Sequence, residues 1–370
     1  MFTTVLIFII VLGILVFVHE LGHFVTAKKM GIKVEEFGFG FPPRAWSKKG
    51  KDGVVYSVNW IPLGGFVKIK GESGENREDE DSFSHQKPWK RAIVLCAGVA
   101  MNFLLCAVLL SIGFAIGLPQ AVDQAALEQG IVKDYKLQVV SVLDGKPAKE
   151  AGIKIGDVIL SIDGQDILGV KNFLEYVSPR IGQTASYKIQ RGEDIFIKEV
   201  EVVNIGEDRG GIGIGLVETG IISHPIHKAV WQGFKLTGYL TKEIVFAFGN
   251  ILKNLVIGKP AGVQMAGPVG IAVLTGQVAQ LGFIYILQFT ALLSLNLAII
   301  NFMPFPALDG GRLLFLGIEK IRRKPVSQKI ESIVHATGFA ILMLLVIVIT
   351  FQDVIRYSNV FANFIGKIIQ

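Results

Sequence analysis

The chain has 370 residues, of which 51% are hydrophobic and 18% are charged, and its formal net charge is +6. This composition and a mean hydropathy of +0.51 exclude an ordinary soluble domain and indicate a membrane protein. The basic excess is explained by loops that flank apolar runs. It therefore indicates contact with lipid headgroups rather than a nucleic-acid partner.

Four uncharged runs are long enough to cross the hydrocarbon core of a bilayer. The first lacks both a basic leading segment and a small-residue cleavage site, so we expect a retained span rather than a removable signal peptide. The sequence predicts transmembrane helices over residues 1–27, 91–118, 281–310 and 332–352.

The first span contains the run His19-Glu20-Leu21-Gly22-His23. Residues four apart on a helix lie one above the other, so His19 and His23 can present two imidazole nitrogens to one metal ion. Glu20 points to an adjacent side, where it can act as the general base for an activated water. The alternative is a buried hydrogen-bonded cluster of the three side chains. Ionisable groups inside a span are costly and usually functional.

Basic residues after spans one and three set the predicted orientation. These segments are cytoplasmic in this interpretation, and both termini, including the tail 353–370, are extracytoplasmic. The residues concerned are Lys28, Lys29, Lys33, Arg44, Lys48, Lys49 and Lys51 after span one, and Lys320, Arg322, Arg323, Lys324 and Lys329 after span three.

Spans one and three then run in the same direction, so the ends of both spans lie at the same depth. Asp309 near the end of span three is therefore the candidate third ligand of a zinc site with two histidines and one carboxylate. Pro304 and Pro306 would interrupt the helix and free backbone groups, which is tolerable only beside protein or a water-filled cavity. A simple Pro-Asp-Gly turn at a helix end is the alternative.

The region 28–90 between spans one and two predicts β-hairpins, because Val34–Phe41 and Val54–Lys70 have strand-like patterns. An exposed strand edge near the metal could hold an unwound substrate by β-augmentation. A hairpin that only packs on the helices is the alternative. In span two, Gly98 and Asn102 share one helical face, which is consistent with close helix packing.

Residues 123–217 have a soluble composition with several short strand patterns. The stretches 145–148 and 151–164 resemble the PDZ domains of bacterial membrane and periplasmic proteases. Such a domain could act as a size filter for substrates or bind extended peptides. After it, the region 224–258 predicts an amphipathic helix, which either lies at the outer membrane interface or is a packed linker.

Taken together, these motifs resemble the site-2 protease family, specifically the bacterial intramembrane enzymes that cleave anti-sigma factors. The resemblance covers essentially the whole chain, including the H-E-x-x-H run, Asn301-x-x-Pro304-x-Pro306-x-Leu308-Asp309-Gly310 and the Pro62–Val67 stretch. It implies Zn²⁺ with His19, His23 and Asp309 as ligands, Glu20 as base and a membrane re-entrant β-loop. It also implies roles near the scissile bond for Asn296 and Asn301; as further substrate contacts we predict Pro304, Gly64, Gly65 and Phe66.

We therefore expect a polytopic α-helical membrane protein with four transmembrane helices, a re-entrant β-hairpin region and one inserted PDZ-like α+β domain. Its expected function is zinc-dependent cleavage of single-span membrane proteins, after a site-1 protease has removed their outer domain. We expect it in the bacterial inner membrane, with the inserted domain extracytoplasmic and the active site toward the cytoplasm.

Three alternatives differ in function. The enzyme could clear remnant signal peptides, the chain could be a non-proteolytic PDZ membrane scaffold, or it could be a zinc transporter. A scaffold would need a broken catalytic motif, and this motif is intact. A transporter would need ligands along a path, for which His335 is the other in-span candidate.

Overall fold

A computed structural model describes residues 2–122, 132–192, 194–206, 209–259, 266–324 and 326–358. The chain divides into two compact units, one formed by Met1–Ser111 with Val230–Gln370 and the other by Ile112–Ala229. The predicted first residues of the inserted domain, 123–131, and most of the predicted tail, 359–370, lie outside the described residues.

Long helices dominate the first unit. Within the described residues, four are long and apolar enough to cross a membrane, and few residues of the fourth are buried, as in a helix that faces lipid. The helices are α1 (Phe2–Lys29), α2 (Pro88–Ile116), α5 (Ile226–Val256), α6 (Pro268–Leu281), α7 (Phe283–Phe302), α8 (Asp309–Arg322) and α9 (Gln328–Arg356); α3 (Pro147–Glu150) and α4 (Val170–Val177) belong to the second unit.

The third predicted span differs from the prediction of one segment over 281–310. Helix α7 ends at Phe302, and Asp309 begins the separate helix α8. Pro304 and Pro306 explain the break, because proline has no amide proton and disfavours helical backbone in the residue before it. The apolar sequence before the predicted span forms α6 (Pro268–Leu281), an additional short helix that the sequence analysis did not predict.

The predicted hairpin region forms a sheet of β1 (Val34–Lys49) and β2 (Val55–Ile69). Both strands bend, so the first part of β1 has partners on two sides; Phe37, for example, pairs with both Val67 and Tyr56. The sheet consequently has four segments in the order 65–69, 34–39, 55–59 and 44–49. Its core includes Val34, Phe37, Val54 and Ile69, which pack with Ala27 of α1 and Val94 and Leu95 of α2.

The second unit contains a seven-stranded sheet with the order β3-β11-β4-β5-β7-β8, in which β6 pairs with β5. The predicted strands are present. The sheet also includes residues on either side of 123–217, because β3 precedes this range and β11 extends beyond it. Buried Asp157 joins the sheet to a loop, since it accepts hydrogen bonds from the Arg191 guanidinium at 2.6 and 2.8 Å and from the Lys154 amide at 2.8 Å. The strands are β3 (Leu118–Ala121), β4 (Val132–Val142), β5 (Val158–Ile162), β6 (Gln165–Asp166), β7 (Thr184–Arg191), β8 (Asp194–Glu201), β9 (Val203–Asn204), β10 (Gly210–Gly211) and β11 (Ile214–Ile222).

Asp353, near the C-terminal end of α9, joins the fourth span to α6. Its Oδ2 atom accepts hydrogen bonds from the amides of Gly267 (2.9 Å) and Gly270 (2.7 Å), at the N-terminus of α6. Unpaired amides and the positive end of the helix dipole favour a carboxylate at this place. Because Asp353 is 1% exposed, these contacts are made away from solvent.

We predict that Asp353→Ala destabilises the protein by about 2 kcal/mol, because it leaves two buried amide donors without an acceptor. Thermal unfolding in detergent, followed by circular dichroism, measures this effect. Asp353→Asn keeps one acceptor oxygen and should fall between the wild type and the alanine variant. Equal unfolding temperatures for the wild type and Asp353→Ala would contradict the capping role.

Candidate metal centre

Three potential ligand atoms converge between α1 and the start of α8. The Asp309 Oδ2 atom lies 3.1 Å from His19 Nε2 and 3.3 Å from His23 Nε2, and the two imidazole nitrogens are 3.2 Å apart. His19 and His23 are buried, and Asp309 is partly exposed. The structure thus brings together the three side chains that the sequence predicted as ligands.

Hydrogen bonding leaves His23 with a free lone pair at this centre. Its Nδ1 atom lies 2.9 Å from the carbonyl oxygen of Val94 in α2. A carbonyl can only accept, so Nδ1 carries the proton and Nε2 of the neutral ring is unprotonated. An imidazole whose outer nitrogen donates to a carbonyl is typical of a metal ligand, so His23 fits this role.

Asn102 of α2 supplies the equivalent partner for His19. Its amide nitrogen is 3.4 Å from His19 Nδ1, while its buried Oδ1 has no partner within the described residues. Rotation of this amide by 180° exchanges the two atoms, so the oxygen then accepts the Nδ1 proton. In that rotamer the proton on His19 Nδ1 has an acceptor, and Nε2 of the neutral ring is unprotonated and suited to a cation.

Glycines allow the helices to approach closely enough for this arrangement. A Cβ atom at Gly98 would lie 2.3 Å from His23 Nε2, and one at Gly22 would lie 2.4 Å from the Ala97 carbonyl oxygen. On the other side of the centre, Cβ atoms at Gly310 and Gly311 would collide with carbonyl oxygens of the preceding turn. Small residues are therefore required where α1 crosses α2 and where α8 begins.

Glu20 lines a cavity of about 230 Å³ together with His19 and Asp309, two of the three candidate ligands. The Glu20 carboxylate makes no hydrogen bond within the described part of the chain, so its oxygens are available to a water or a substrate. The cavity is lined by Val16, His19, Glu20, Leu297, Asn301, Ala307, Leu308 and Asp309.

The two predicted asparagines occupy different surroundings. Asn301 lines the cavity, with its Nδ2 atom 3.4 Å from His19 Nε2. The Asn296 amide instead donates a hydrogen bond to the Leu292 carbonyl of its own helix at 3.0 Å, and Asn296 is absent from the cavity lining. Asn301 is therefore the asparagine that the structure places at the centre.

The remaining predicted substrate contacts lie around the cavity rather than in its lining. Pro304 is in the turn between α7 and α8. Gly64 and Gly65 run along α1, where a Cβ on Gly64 would lie 2.9 Å from Val16 and one on Gly65 would lie 3.8 Å from the Phe17 Cα atom. Phe66 pairs with Gly38, and its ring covers that glycine.

The cluster argues against a transport path. Among the residues that the structure describes, His19, His23 and Asp309 form the candidate metal group, and His335 is outside it. The His335 imidazole instead accepts a hydrogen bond from the backbone amide of Ala307. Sequence reasoning gave neither Asn102 nor His335 this local role, because both contacts join residues far apart in the chain.

Comparisons with known proteins show that the chain is similar to metalloproteases. A sequence profile of peptidase family M50 matches residues 7–345. The zinc metalloprotease RasP of Geobacillus kaustophilus is 31% identical and covers 95% of this chain and 97% of its own length. The regulator of sigma-W protease RasP of Bacillus subtilis is 32% identical and covers 95% of this chain and 98% of its own. A solved PDZ domain of an SdrC-like protein from Listeria monocytogenes is 28% identical over 22% of this chain and 86% of its own, with a TM-score of 0.21.

We predict that Gly98→Ala lowers metal affinity by roughly tenfold or more, because the new methyl group must displace an imidazole. Competition with a chelator on the purified protein measures the affinity. Gly317→Ala is the matched control, since a Cβ there meets no atom within 4 Å. Unchanged affinity in Gly98→Ala would show that the imidazoles can move without loss of the site.

Proposed function

The chain belongs to peptidase family M50, and from that premise we propose that it cleaves single-span membrane proteins within or near their transmembrane helix. It is a zinc metalloendopeptidase, as the names of its relatives support, and a multi-pass membrane protein with four apolar helices. The observation that carries the proposal is the convergence of His19, His23 and Asp309 beside a cavity that Glu20 also lines.

We assign His19, His23 and Asp309 as the zinc ligands. Two imidazole nitrogens and one carboxylate oxygen are a donor set of catalytic zinc sites, which keep a further position for water or substrate. The hydrogen bond from His23 to the Val94 carbonyl supports this assignment, because it directs the unprotonated nitrogen to the centre.

Bound zinc supplies a Lewis acid that polarises a carbonyl and makes water more acidic. The protein residues then move the protons. A Glu20 carboxylate oxygen accepts the proton of the attacking water and returns it to the nitrogen of the leaving amine. The Asn301 amide donates a hydrogen bond to the substrate carbonyl oxygen as negative charge develops there. For Asn296, a contact with the substrate backbone stays a prediction.

We predict that Glu20→Gln lowers turnover by a factor of roughly 10²–10⁴ while zinc content is retained, because the amide cannot accept the proton. Cleavage of a purified transmembrane substrate and elemental analysis measure the two quantities. Glu175→Gln is the control, because it makes the same substitution at an exposed position of the inserted domain and should leave turnover unchanged. Normal turnover in Glu20→Gln would rule out this residue as the base.

The hairpin sheet is proposed to re-enter the membrane. Its bend exposes large apolar side chains, namely Phe41 (45%), Trp46 (54%) and Trp60 (72%). Exposed aromatic groups are unfavourable in water and are typical of the membrane interface. The sheet therefore has a surface suited to lipid.

One edge of this sheet is proposed to hold the unwound substrate. A helical substrate has its amides bonded internally, so hydrolysis needs a locally extended segment. The segment 65–69 pairs on one side with β1, and within the described residues its other side has no strand partner. Gly64 lies close to Val16, which also lines the cavity, since a Cβ on Gly64 would be 2.9 Å from that side chain. An extended peptide added at this edge would gain main-chain hydrogen bonds beside Glu20.

We predict that a photo-crosslinking amino acid at Phe66 captures the substrate in the Glu20→Gln background, whereas the same group at Trp46 does not. Trp46 is a matched aromatic position on the opposite edge segment of the same sheet. Mass spectrometry of the crosslinked product checks the result. Equal capture at both positions, or capture at Trp46 alone, would reject the proposed edge.

We further propose an inner-membrane location with both termini and the inserted domain outside the cytoplasm, supported by the basic segments after α1 and within α8. The inserted domain would exclude intact outer domains, so a site-1 protease would act first. Anti-sigma factors are the proposed substrates, since one relative is named as a regulator of sigma-W protease. Mass spectrometry of membrane peptides that accumulate in a Glu20→Gln strain distinguishes them from remnant signal peptides.

A further inference from the structure

The turn between α7 and α8, residues 303–308, fixes the position of Asp309. It contains Ala307, whose φ angle of +75° lies in the left-handed region. A Cβ atom disfavours this conformation, so alanine persists there only if other contacts hold the backbone. Because Ala307 is two residues before Asp309, any relaxation of this backbone moves the carboxylate.

Helix α9, the fourth span, supplies these contacts. The Ala307 amide donates a hydrogen bond of 2.9 Å to His335 Nδ1. One turn further along α9, Pro306 packs directly against Gly338. A Cβ atom on Gly338 would lie 2.4 Å from the Pro306 Cβ atom, so a larger residue would not fit there. The His335 ring also lies 5.4 Å from the ring of Phe315 in α8. The turn is therefore enclosed between α8 and α9.

The chemistry of His335 is determined by its partner. A backbone amide can only donate, so Nδ1 is unprotonated and the neutral ring carries its proton on Nε2. This Nε2 atom is buried and has no partner within the described residues. An apolar side chain would avoid that unmet donor. The presence of histidine at position 335 is therefore explained by its Nδ1 atom, which accepts the hydrogen bond from the Ala307 amide.

We propose that His335 is a positioning residue for the metal centre: its Nδ1 atom holds Ala307 in the left-handed conformation and so aims Asp309 at His19 and His23. The inference rests on the proposed function of these three residues as zinc ligands. It gives the fourth span, which supplies no ligand to the described cluster, a direct effect on metal affinity.

The test measures zinc affinity of the full-length protein in detergent by competition with a chelator, independently of peptide cleavage. His335→Leu should weaken affinity by about tenfold or more, as expected for loss of a partner behind a ligand. His335→Asn places an amide oxygen near the site of Nδ1 and should stay within about threefold of the wild type. Phe339→Leu, an exposed position one turn away, is the control for the same new residue on the same helix.

A second substitution separates positioning from general packing. Glycine adopts the left-handed region without strain. Ala307→Gly in the His335→Leu background should therefore recover most of the lost affinity. A purely structural defect in α9 would not be repaired at Ala307, so the absence of recovery would overturn the proposal.

Wild-type affinity in His335→Leu would also overturn it, provided that Asp309→Ala loses zinc. If Asp309→Ala itself keeps wild-type affinity, the ligand assignment fails and both proposals fall. Should His335→Leu not fold, His335→Ala tests the same contact, because it removes the acceptor of the Ala307 amide without adding bulk. Weaker zinc binding in His335→Ala supports the proposal, and unchanged binding overturns it.

Discussion

The meeting of two imidazoles and one carboxylate inside an apolar helical unit is the constraint on which the rest of the structure depends. The three ligand atoms are separated by 3.1, 3.2 and 3.3 Å. Polar groups so placed lose hydration, and a divalent cation offsets that loss while it uses the lone pairs that the outer hydrogen bonds leave free.

Each ligand is aimed by a different part of the unit. The Val94 carbonyl and the Asn102 amide of α2 face the outer nitrogens of His23 and His19, respectively. The turn before α8 places Asp309, and α8 is further held by ion pairs of Arg312 with Glu72 and of Arg91 with Glu319. Loops and helices without any ligand thus determine the geometry of the centre, which is why changes outside it are expected to alter metal affinity.

The sequence predicted that His19, His23 and Asp309 meet, because the spacing of the two histidines and the depth of Asp309 follow from helix periodicity and basic-residue bias. It also predicted the four spans, the hairpin strands and the strands of the inserted domain. It predicted an interruption at Pro304 and Pro306, yet it kept one span over 281–310 and did not separate the helices on either side of the break. It also did not predict the short helix α6, because a hydropathy pattern does not resolve helix ends within an apolar run. It gave no role to His335, since that contact depends on how α9 packs against a turn 28 residues earlier.

The central claim is that one zinc ion is bound jointly by α1 and the first residue of α8. Zinc X-ray absorption spectroscopy on the purified wild-type protein and on Asp309→Ala tests it most directly. The account predicts one zinc per chain with nitrogen and oxygen neighbours, including two imidazoles, and loss of that zinc in Asp309→Ala. A zinc-free active wild-type enzyme, or an unchanged spectrum and full occupancy in Asp309→Ala, would contradict it.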